Sequence, residues 1–415
     1  MNIGIVTTWF ERGAAHVSRQ FVDILKEKHN IFVYARGGEN YAKNNPEWDL
    51  EYVHWGKVIT SPFVITLIDK SDFSFWIEKK NIQLVIFNEQ HWWLPVIWCN
   101  ALGIKTLAYI DYYTNQTLPF FKIYDGLICN TKRHYSLFEK FGNAHYLPWG
   151  TSISLYKPQK ENIELVDDQK IIFFHSAGMA PFRKGTDLLL KSFEAAKINS
   201  KLIIHTQVNL ASVFPQLKNL IDHLLLESRL EIIEKTVPAP GLYKEGDIYV
   251  YPSRLDGIGL TITEALSSGL GILVPDNAPM NEFVNKDTGL TLKIDKYYSR
   301  EDGYYWPLCE ICEKDLTNKL EFLAENRNEV LRLKINSRTY SEKSLDWNKN
   351  KGTLLSIIDM TANKENNASL IISQIIKFEN TGVRKLNISY IKYFKIIKLL
   401  LYLNKKFKSL STNTN

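Results

Sequence analysis

Short apolar runs alternate with longer amphipathic stretches along the first part of the chain. The apolar runs predict buried strands, and the amphipathic pattern from Val17 to Lys28 predicts a helix between the first two of them. Strands that alternate with helices form parallel sheets covered by helices, so we expect an α/β domain over residues 1–160. The predicted strands are Ile3–Thr7, Ile31–Ala35, Leu84–Asn88, Thr106–Ile110 and Leu127–Asn130.

The same alternation begins again near Lys170 and predicts a second α/β domain over residues 161–345. Pro158–Gln169 is the expected linker, and residues 346–362 are expected to form a helix that returns to the first domain. The predicted fold is thus α/β, with two doubly wound Rossmann-like domains and a helical tail at 363–415. The second set comprises strands at Ile171–Phe174, Leu202–His205, Leu230–Ile233, Ile248–Tyr251 and Gly271–Val274, and helices at Asp187–Lys197, Gln216–Leu226 and Thr261–Ser268.

Positive charge is concentrated in the tail. Residues 363–415 contain ten Lys or Arg and two Glu, a net charge of +8, which leaves −2 for the remainder of the +6 chain. A nucleic-acid partner is therefore not expected. Lysines interleaved with apolar residues over Leu386–Leu410 are typical of a basic amphipathic helix on an anionic membrane surface. Docking of this segment onto the body or a partner is the alternative.

The remaining composition favours a cytoplasmic protein. No apolar run reaches transmembrane length and no signal peptide precedes the first strand, so we expect at most peripheral contact with the inner face of a membrane. Cys309 and Cys312 form a single C-x-x-C, without the second pair that structural zinc usually requires. Ordinary packing is favoured for them, with zinc or redox chemistry as alternatives.

The segment from Pro252 to Leu266 carries the most specific chemistry. A strand leads into a glycine-containing loop and then into a helix, whose first N–H groups form an anion site. Asp256 precedes this site and Glu264 follows it, so that hydroxyls could be held on either side of a phosphate. A nucleotide sugar has this layout. The backbone groups concerned belong to Gly257, Ile258, Gly259, Leu260 and Thr261.

Arg183 and Lys184 lie after another predicted strand of the same domain. Since parallel strands end at one edge of a sheet, both cations are expected near the loop of Asp256. A guanidinium and an ammonium together can neutralise a diphosphate. A solvated basic turn is the alternative.

The first domain offers further polar side chains after its predicted strands. Arg12, Gly13 and His16 belong to the loop after the first strand, where a helix-capping role is the alternative. His91 and Trp92 follow Leu84–Asn88, and an indole there suits stacking on a sugar, whereas packed core residues are the alternative. Asp111 follows Thr106–Ile110 and is a further polar candidate at this edge.

The spacing of Asp256 and Glu264, together with Arg183-Lys184-Gly185, resembles retaining glycosyltransferases of family 4, which have the GT-B fold with two domains facing a cleft. The resemblance implies transfer of a hexose from a nucleotide-diphosphate sugar to a glycan or lipid-linked acceptor, with retention, in polysaccharide biosynthesis. It implies catalytic roles for His91, Arg183, Lys184 and Asp256, donor contacts from Gly13, Gly257–Thr261 and Glu264, a base-binding region with Val237 and Tyr243, and acceptor-side roles for Arg12, His16, Trp92 and Asp111.

No metal or other cofactor is expected. The chain has no D-x-D triplet, the ligand pair on which a Mg²⁺-dependent transfer would rely. Arg183, Lys184 and a helix N-terminus could stabilise the leaving group in place of the metal ion. The absence of a complete G-x-G-x-x-G and of a Walker A motif argues against dehydrogenase and P-loop functions. A nucleotide-sugar epimerase and a non-catalytic nucleotide-sugar-binding or scaffold protein remain alternatives.

Overall fold

The structure is a computed structural model that describes residues 1–36, 42–59, 66–158, 170–362 and 369–386. It contains two compact units. Of the residues described, those within 1–129, 138–145 and 355–386 form the first unit, and those within 130–137 and 146–354 form the second. The chain thus belongs to the second unit briefly at residues 130–137, enters it again at Tyr146 and returns to the first unit at Leu355, inside a helix.

Strands and helices alternate through most of the described chain. The strands are β1 (Asn2–Thr7), β2 (Asn30–Ala35), β3 (Val53–Trp55), β4 (Leu84–Asn88), β5 (Lys105–Tyr109), β6 (Gly126–Cys129), β7 (Ala144–Tyr146), β8 (Ile172–Gly178), β9 (Lys201–Thr206), β10 (Leu230–Glu234), β11 (Ile248–Val250), β12 (Gly271–Pro275), β13 (Gly289–Leu292), β14 (Ile294–Tyr298) and β15 (Leu308–Ile311). The α-helices are α1 (Gly13–Leu25), α2 (Lys70–Lys80), α3 (Leu94–Ala101), α4 (Lys132–Phe138), α5 (Thr186–Ala196), α6 (Leu210–Val213), α7 (Lys218–Leu226), α8 (Leu260–Ser267), α9 (Glu313–Glu325), α10 (Arg327–Tyr340), α11 (Trp347–Ala362) and α12 (Ser369–Glu379).

The first unit is built on a seven-stranded sheet in the order β3-β2-β1-β4-β5-β6-β7. β1 lies between β2 and β4 and is parallel to both, with Ile5 opposite Val33 and Ile86. Strands covered on both faces need apolar residues at nearly every position, which is why continuous apolar runs predict them. The strand order reverses between β1 and β4, so the loops after these two strands flank a topological switch point.

Local sequence signals explain where the helices of this unit begin and end. The Asp69 carboxylate accepts a hydrogen bond from the Asp72 N–H at 3.0 Å and caps the start of α2. The helix ends at Asn81, which adopts the left-handed conformation with a φ of 48°. In α1 the buried residues, including Val17, Phe21 and Leu25, recur at helical spacing and form the apolar face of the helix.

The second unit contains a six-stranded sheet in the order β10-β9-β8-β11-β12-β13. β8 is parallel to both β9 and β11, and the order reverses between β8 and β11. Its buried core includes Phe173 of β8 and the leucines of α5. The two sheets confirm the prediction of two doubly wound domains. The antiparallel hairpin of β14 and β15 follows the sheet and was not predicted.

Helix α12, in the first part of the predicted tail, packs on the first unit. Ile375 is fully buried, and the Phe378 and Phe120 rings meet edge to face at 5.1 Å. The Trp93 N–H donates to the buried Glu379 carboxylate at 3.2 Å. The amphipathic segment beyond Leu386 and the linker after Pro158 lie outside the described residues. Within the described ranges, no helix has the length and hydropathy needed to cross a membrane.

Candidate functional site

Two loops meet at the switch point of the second sheet, where β8 and β11 end. We call residues 179–186 and 251–264 the switch-point edge. The Arg254 N–H donates to the Arg183 carbonyl at 2.8 Å, and the Ser253 hydroxyl donates to the same oxygen at 3.2 Å. These two hydrogen bonds hold the loops together, so that side chains from both loops lie at the same edge of the sheet.

Gly185 allows this close approach. Its φ is 72°, and a Cβ at this position would lie 2.0 Å from the Pro252 carbonyl oxygen. Only glycine fits a left-handed position so close to another backbone. Arg183, two residues before Gly185, donates from Nη1 to the Leu255 carbonyl at 2.7 Å, and this guanidinium nitrogen lies 4.0 Å from Asp256 Oδ2. The structure thus brings this cation to the predicted acid.

Lys184 lies at the same place, with its Nζ 5.5 Å from the centroid of the Tyr251 ring. Burial lowers the pKa of this ammonium to about 8, and Arg183 acts in the same direction, whereas the carboxylates of Asp256 and Glu264 oppose the shift. Two cations and two carboxylates therefore influence one another at the switch-point edge, as a site for a charged ligand requires.

Asp256 shapes the loop that follows it. Its Oδ1 accepts hydrogen bonds from the N–H groups of Ile258 at 3.1 Å and Gly259 at 3.0 Å, and its Oδ2 accepts from the Tyr251 hydroxyl. Burial favours the neutral acid, but Arg183, the Tyr251 hydroxyl and Lys184 outweigh it and hold the pKa of Asp256 below its usual value. The carboxylate is therefore ionised at neutral pH and also orders the glycine loop.

The glycine loop ends at the start of α8. Gly259 has a φ of 89° and directly precedes Leu260, the first residue of the helix. The first N–H groups of a helix have no acceptor within it, so Leu260 and Thr261 direct donors toward the loop. A Cβ built on Gly257 meets no heavy atom within 4 Å, which leaves open space beside these donors. One helical turn on, Glu264 Oε2 accepts from the Tyr243 hydroxyl at 2.6 Å.

The two residues of the predicted base-binding region differ in exposure. Val237 is partly exposed in the loop after β10, whereas Tyr243 is only 6% exposed. The Tyr243 ring packs edge to face against Phe174 at 5.7 Å and Tyr249 at 5.8 Å. Its ring therefore belongs to the packed interior, and its hydroxyl is what reaches the switch-point edge.

His175 supports this edge and is not among the predicted site residues. It is fully buried; its Nδ1 donates to the Val250 carbonyl and its Nε2 accepts from the Thr186 hydroxyl, both at 2.8 Å. Burial lowers the pKa of His175 to about 3, so the ring stays neutral. It ties together β8, β11 and the start of α5. In the sequence, a histidine inside an apolar strand run is the feature that could have indicated this supporting role.

Arg254 is the second support that was not predicted. Its guanidinium forms a bidentate pair with Asp187, with N–O distances of 2.7 and 2.8 Å, and also donates to the Phe182 carbonyl at 2.5 Å. The Arg254 side chain is 3% exposed. This buried pair fixes the loop of Arg183 and Lys184 to the first turn of α5.

The first unit presents its own polar cluster where β4 and β5 end. Arg12 Nη2 lies 3.1 Å from Glu89 Oε2, and His91 Nε2 lies 3.2 Å from Asp111 Oδ2. Burial and the Asp111 carboxylate raise the pKa of Glu89, with Arg12 acting in opposition. The structure thus brings three predicted residues together around Glu89, which was not predicted. Glu89 directly follows β4 and has a left-handed backbone conformation with a φ of 53°.

Other predicted residues of the first unit have different surroundings. Gly13 is exposed and begins α1 after the extended backbone of Arg12. His16 pairs with Glu11 Oε1 at 2.8 Å and meets the Trp48 ring edge to face.

The prediction that Trp92 stacks on a sugar is wrong. Its ring is 2% exposed and packs edge to face on Trp98 at 5.4 Å, so no ring face is open. The neighbouring Trp93 is equally buried, against the rings of Phe120 and Phe121.

The C-x-x-C pair lies at the hairpin of the second unit. The buried Cys309 donates its N–H to the Arg254 carbonyl at 2.9 Å, and its Sγ lies 3.5 Å from the same oxygen. Burial raises the pKa of the Cys309 thiol. Among the residues that the structure describes, no group of three or more His, Cys, Asp or Glu side chains is arranged to hold a metal ion.

Solved structures with similar folds cover nearly the whole chain. A glycosyltransferase from Rickettsia africae superposes with a TM-score of 0.69 at 15% identity, over 88% of this chain and 99% of that one. HepE of Anabaena, in complex with UDP, gives 0.66 at 15% identity, over 86% and 99%. The pneumococcal O-GlcNAc transferase GtfA, in complex with UDP and GlcNAc, gives 0.65 at 11% identity, over 88% and 99%. The fold is the GT-B fold.

Sequence similarity is confined to part of this GT-B chain. Residues 157–298, which include the switch-point edge, match the family model described as Glycosyl transferases group 1. An uncharacterised glycosyltransferase of Sulfolobus islandicus rod-shaped virus 1 is 25% identical over 155 residues, which are 34% of this chain and 44% of the viral protein. The chain therefore spans less than half the length of the curated relative that it matches.

Proposed function

We propose that the protein is a glycosyltransferase that moves a hexose from a nucleotide-diphosphate sugar to a glycan or lipid-linked acceptor, with retention and without a metal ion. The observation that carries the proposal is the convergence of Arg183 and Lys184 on the Asp256–Gly259 loop, with Glu264 one helical turn away. The family match over residues 157–298 supports glycosyl transfer. The UDP complexes of HepE and GtfA favour a UDP-sugar as the first donor to test.

The charges at the switch-point edge suit the chemistry of this transfer. When the bond between the anomeric carbon and the diphosphate breaks, negative charge develops on the leaving phosphate oxygen. Arg183 can bind that oxygen as a fork and Lys184 as a point charge, and the first N–H groups of α8 add to the stabilisation. These protein cations provide charge that a divalent ion would otherwise supply.

Retention follows in this proposal from a reaction on one face of the sugar. The acceptor hydroxyl oxygen bonds to the anomeric carbon on the face that the diphosphate leaves, and the hydroxyl proton passes to the departing phosphate oxygen. Asp256 orders the glycine loop through Ile258 and Gly259 and can hold a hydroxyl of the donor sugar, while Glu264 binds the ribose hydroxyls. No side-chain nucleophile is required.

The proposal is tested by nucleotide binding and release. UDP-glucose, GDP-mannose and ADP-glucose are each supplied with EDTA, and thermal shift and release of the nucleoside diphosphate are measured. Arg183→Ala and Glu264→Ala are each expected to lower release at least about a hundredfold while circular dichroism stays unchanged. Lys191→Ala, which removes a cation from the outer face of α5, is the matched control and should behave as wild type.

Each alternative has its own outcome in this assay. A thermal shift without release identifies a non-catalytic binding protein, and conversion of the donor sugar without release identifies an epimerase. Wild-type release by Arg183→Ala contradicts the site assignment. Inhibition by EDTA that Mg²⁺ reverses contradicts metal independence.

The proposal includes peripheral contact with the inner face of a membrane through the basic tail, which suits a lipid-linked acceptor. Because α12 packs on the first unit through Ile375 and Glu379, a deletion of residues 363–415 would expose buried surface. A chain ending at Leu386 keeps α12 and removes only residues 387–415. It is expected to release nucleotide normally but to lose binding to phosphatidylglycerol vesicles, with phosphatidylcholine vesicles as the control. Undiminished binding to the anionic vesicles contradicts the membrane role.

A further inference from the structure

Side chains from distant segments hold the loop between β4 and α3, which carries His91. The hydroxyl oxygen of the buried Thr66 accepts from the His91 N–H at 3.2 Å and from the Trp92 N–H at 3.1 Å. The next N–H, that of Trp93, donates to Glu379 Oε1 at 3.2 Å. Three consecutive backbone donors of the loop are therefore fixed by two side chains, and one of these comes from the tail helix α12, 286 positions away.

Glu379 also completes the start of α3. The first N–H groups of a helix have no acceptor within it, and side chains near its start normally satisfy them. Trp93 is the N-cap residue of α3, and its side chain makes no capping hydrogen bond. The Glu379 carboxylate accepts from the N–H of this residue, as the glutamate of a capping box does within a single helix. The course of the chain into α3 thus depends on a residue of α12.

The burial of Glu379 argues for a role in orientation. Its side chain is fully buried, and burial raises the pKa of its carboxyl, whereas Arg384 and the Trp93 N–H oppose this shift. Arg384 Nη1 donates to both carboxylate oxygens, at 2.9 and 3.0 Å. A buried ion pair is often no more stabilising than apolar side chains of similar volume. What a carboxylate adds at this position is an acceptor directed at the loop.

The loop passes this constraint on to His91. The His91 ring lies two residues before the Trp93 N–H, and its Nε2 lies 3.2 Å from Asp111 Oδ2 in the polar cluster of the first unit. The intervening Trp92 is only 2% exposed, so it cannot move without disturbing the packed interior. A change in the position of the Trp93 N–H therefore displaces the His91 ring.

We propose that Glu379 of α12 is a positioning residue for His91, so that the tail helix orients the polar cluster of the first unit. The inference rests on the proposed function and on the catalytic role that the sequence resemblance gives to His91. Arg183 and Lys184, which we assign to the diphosphate, belong to the second unit. Displacement of His91 should therefore slow the reaction without weakening donor binding.

The position of His91 can be followed without any substrate. Ring ¹³C–¹H resonances of the nine histidines are recorded on the full-length protein, and His91→Gln identifies the resonance of His91. Glu379→Leu removes the acceptor and is expected to displace this resonance, whereas Glu379→Gln keeps an oxygen acceptor for the Trp93 N–H and should restore it. Ile375→Val, which shortens a buried apolar side chain of α12 by one methylene, is the matched control and should leave the resonance in place.

Release of UDP from UDP-glucose, measured on the same samples, separates positioning from a general loss of stability. Glu379→Leu is expected to lower kcat about tenfold and to leave KM for UDP-glucose within about twofold of wild type, with Glu379→Gln close to wild type in both. Where Glu379→Leu melts far below wild type, Glu379→Asp replaces it, because its shorter side chain withdraws the carboxylate from the Trp93 N–H.

The outcomes distinguish this inference from the proposed function. Absence of UDP release in the wild type, with a His91 resonance that is displaced in Glu379→Leu and restored in Glu379→Gln, contradicts the proposed function and supports the positioning role. A His91 resonance that stays in place in Glu379→Leu and Glu379→Asp, or moves equally in Ile375→Val, overturns the inference. A rise in KM with an unchanged kcat overturns it as well, since Glu379 would then act on donor binding.

Discussion

The Tyr243 hydroxyl donates a hydrogen bond to Glu264 Oε2 over 2.6 Å, and so joins residues 21 positions apart. The Tyr243 ring is packed against Phe174 and Tyr249, so the donor is held in one place. A carboxylate fixed through one oxygen can offer the other to a pair of ribose hydroxyls. The orientation of Glu264 therefore depends on a residue from the loop after β10.

Tyr243→Phe keeps the packed ring and removes only this donor. We expect UDP to bind about three- to tenfold more weakly, because Glu264 loses a neutral hydrogen-bond partner. Isothermal titration with UDP measures the change. Tyr340→Phe, which removes a hydroxyl at the end of α10, is the control, and affinity equal to wild type in Tyr243→Phe would show that Glu264 is oriented in another way.

Lys184 makes donor binding depend on pH. Burial lowers the pKa of its ammonium to about 8, so the side chain is a cation below this pH and loses its charge as the pH rises through it. UDP keeps its full charge in this range, since phosphate ionises near pH 6. We therefore expect the affinity for UDP to fall above pH 8, by up to about tenfold per pH unit.

The control for this prediction is Lys184→Arg, which stays charged at every pH of the experiment. Its affinity for UDP should be nearly constant from pH 7 to pH 9.5. A wild-type affinity that does not change over the same range would mean that Lys184 makes no charged contact with the diphosphate.

The parallel strands were predictable because they are buried on both faces. Leu84–Asn88, for example, is fully buried and has the bounds that its apolar run predicts. The hairpin strand Ile294–Tyr298 was missed, because only its ends are partly buried and its centre is polar. Likewise β3, with three partly buried residues, carries no clear pattern.

The positions of the site residues followed from the sheet, but their contacts did not. Arg183 and Asp256 were expected near one another because parallel strands end at one edge. By contrast, His175 contacts Val250, 75 positions away, and Arg254 contacts Asp187, 67 positions away. Such pairings depend on packing in three dimensions. The same holds for Trp92, for which the sequence left both sugar stacking and core packing open and which is covered by Trp98.

Two glycines of the switch-point edge should respond in opposite ways to a methyl group. Gly185→Ala places a Cβ 2.0 Å from the Pro252 oxygen at a φ of 72°, so we expect a large loss of thermal stability and of UDP binding. Gly257→Ala meets no heavy atom within 4 Å, so its melting temperature should stay within about 2 °C of wild type.

Gly257→Ala should nevertheless weaken UDP-glucose binding, because the methyl group fills space that we assign to the donor. Thermal melting and titration with UDP-glucose of both variants distinguish the two effects. Normal UDP-glucose affinity in Gly257→Ala would place the donor sugar elsewhere.

The buried pair of Arg254 and Asp187 is expected to dominate the stability of the switch-point edge. Arg254→Met leaves the Asp187 carboxylate, which is 11% exposed, without its bidentate partner. Breaking a buried ion pair on one side costs about 3–5 kcal/mol in the free energy of unfolding. Arg254→Lys should lose part of this free energy, since an ammonium cannot donate two parallel hydrogen bonds. Urea unfolding followed by circular dichroism provides the measurement.

The double variant Arg254→Met with Asp187→Leu isolates the interaction. Because it removes both charges, most of the lost stability should return, which gives a large coupling energy in a double-mutant cycle. Lys218→Met, which breaks an exposed pair with Asp222 on α7, is the control and should change stability little. If the double variant were as unstable as the sum of the two single ones, Arg254 would stabilise the loop through its contact with the Phe182 carbonyl rather than through Asp187.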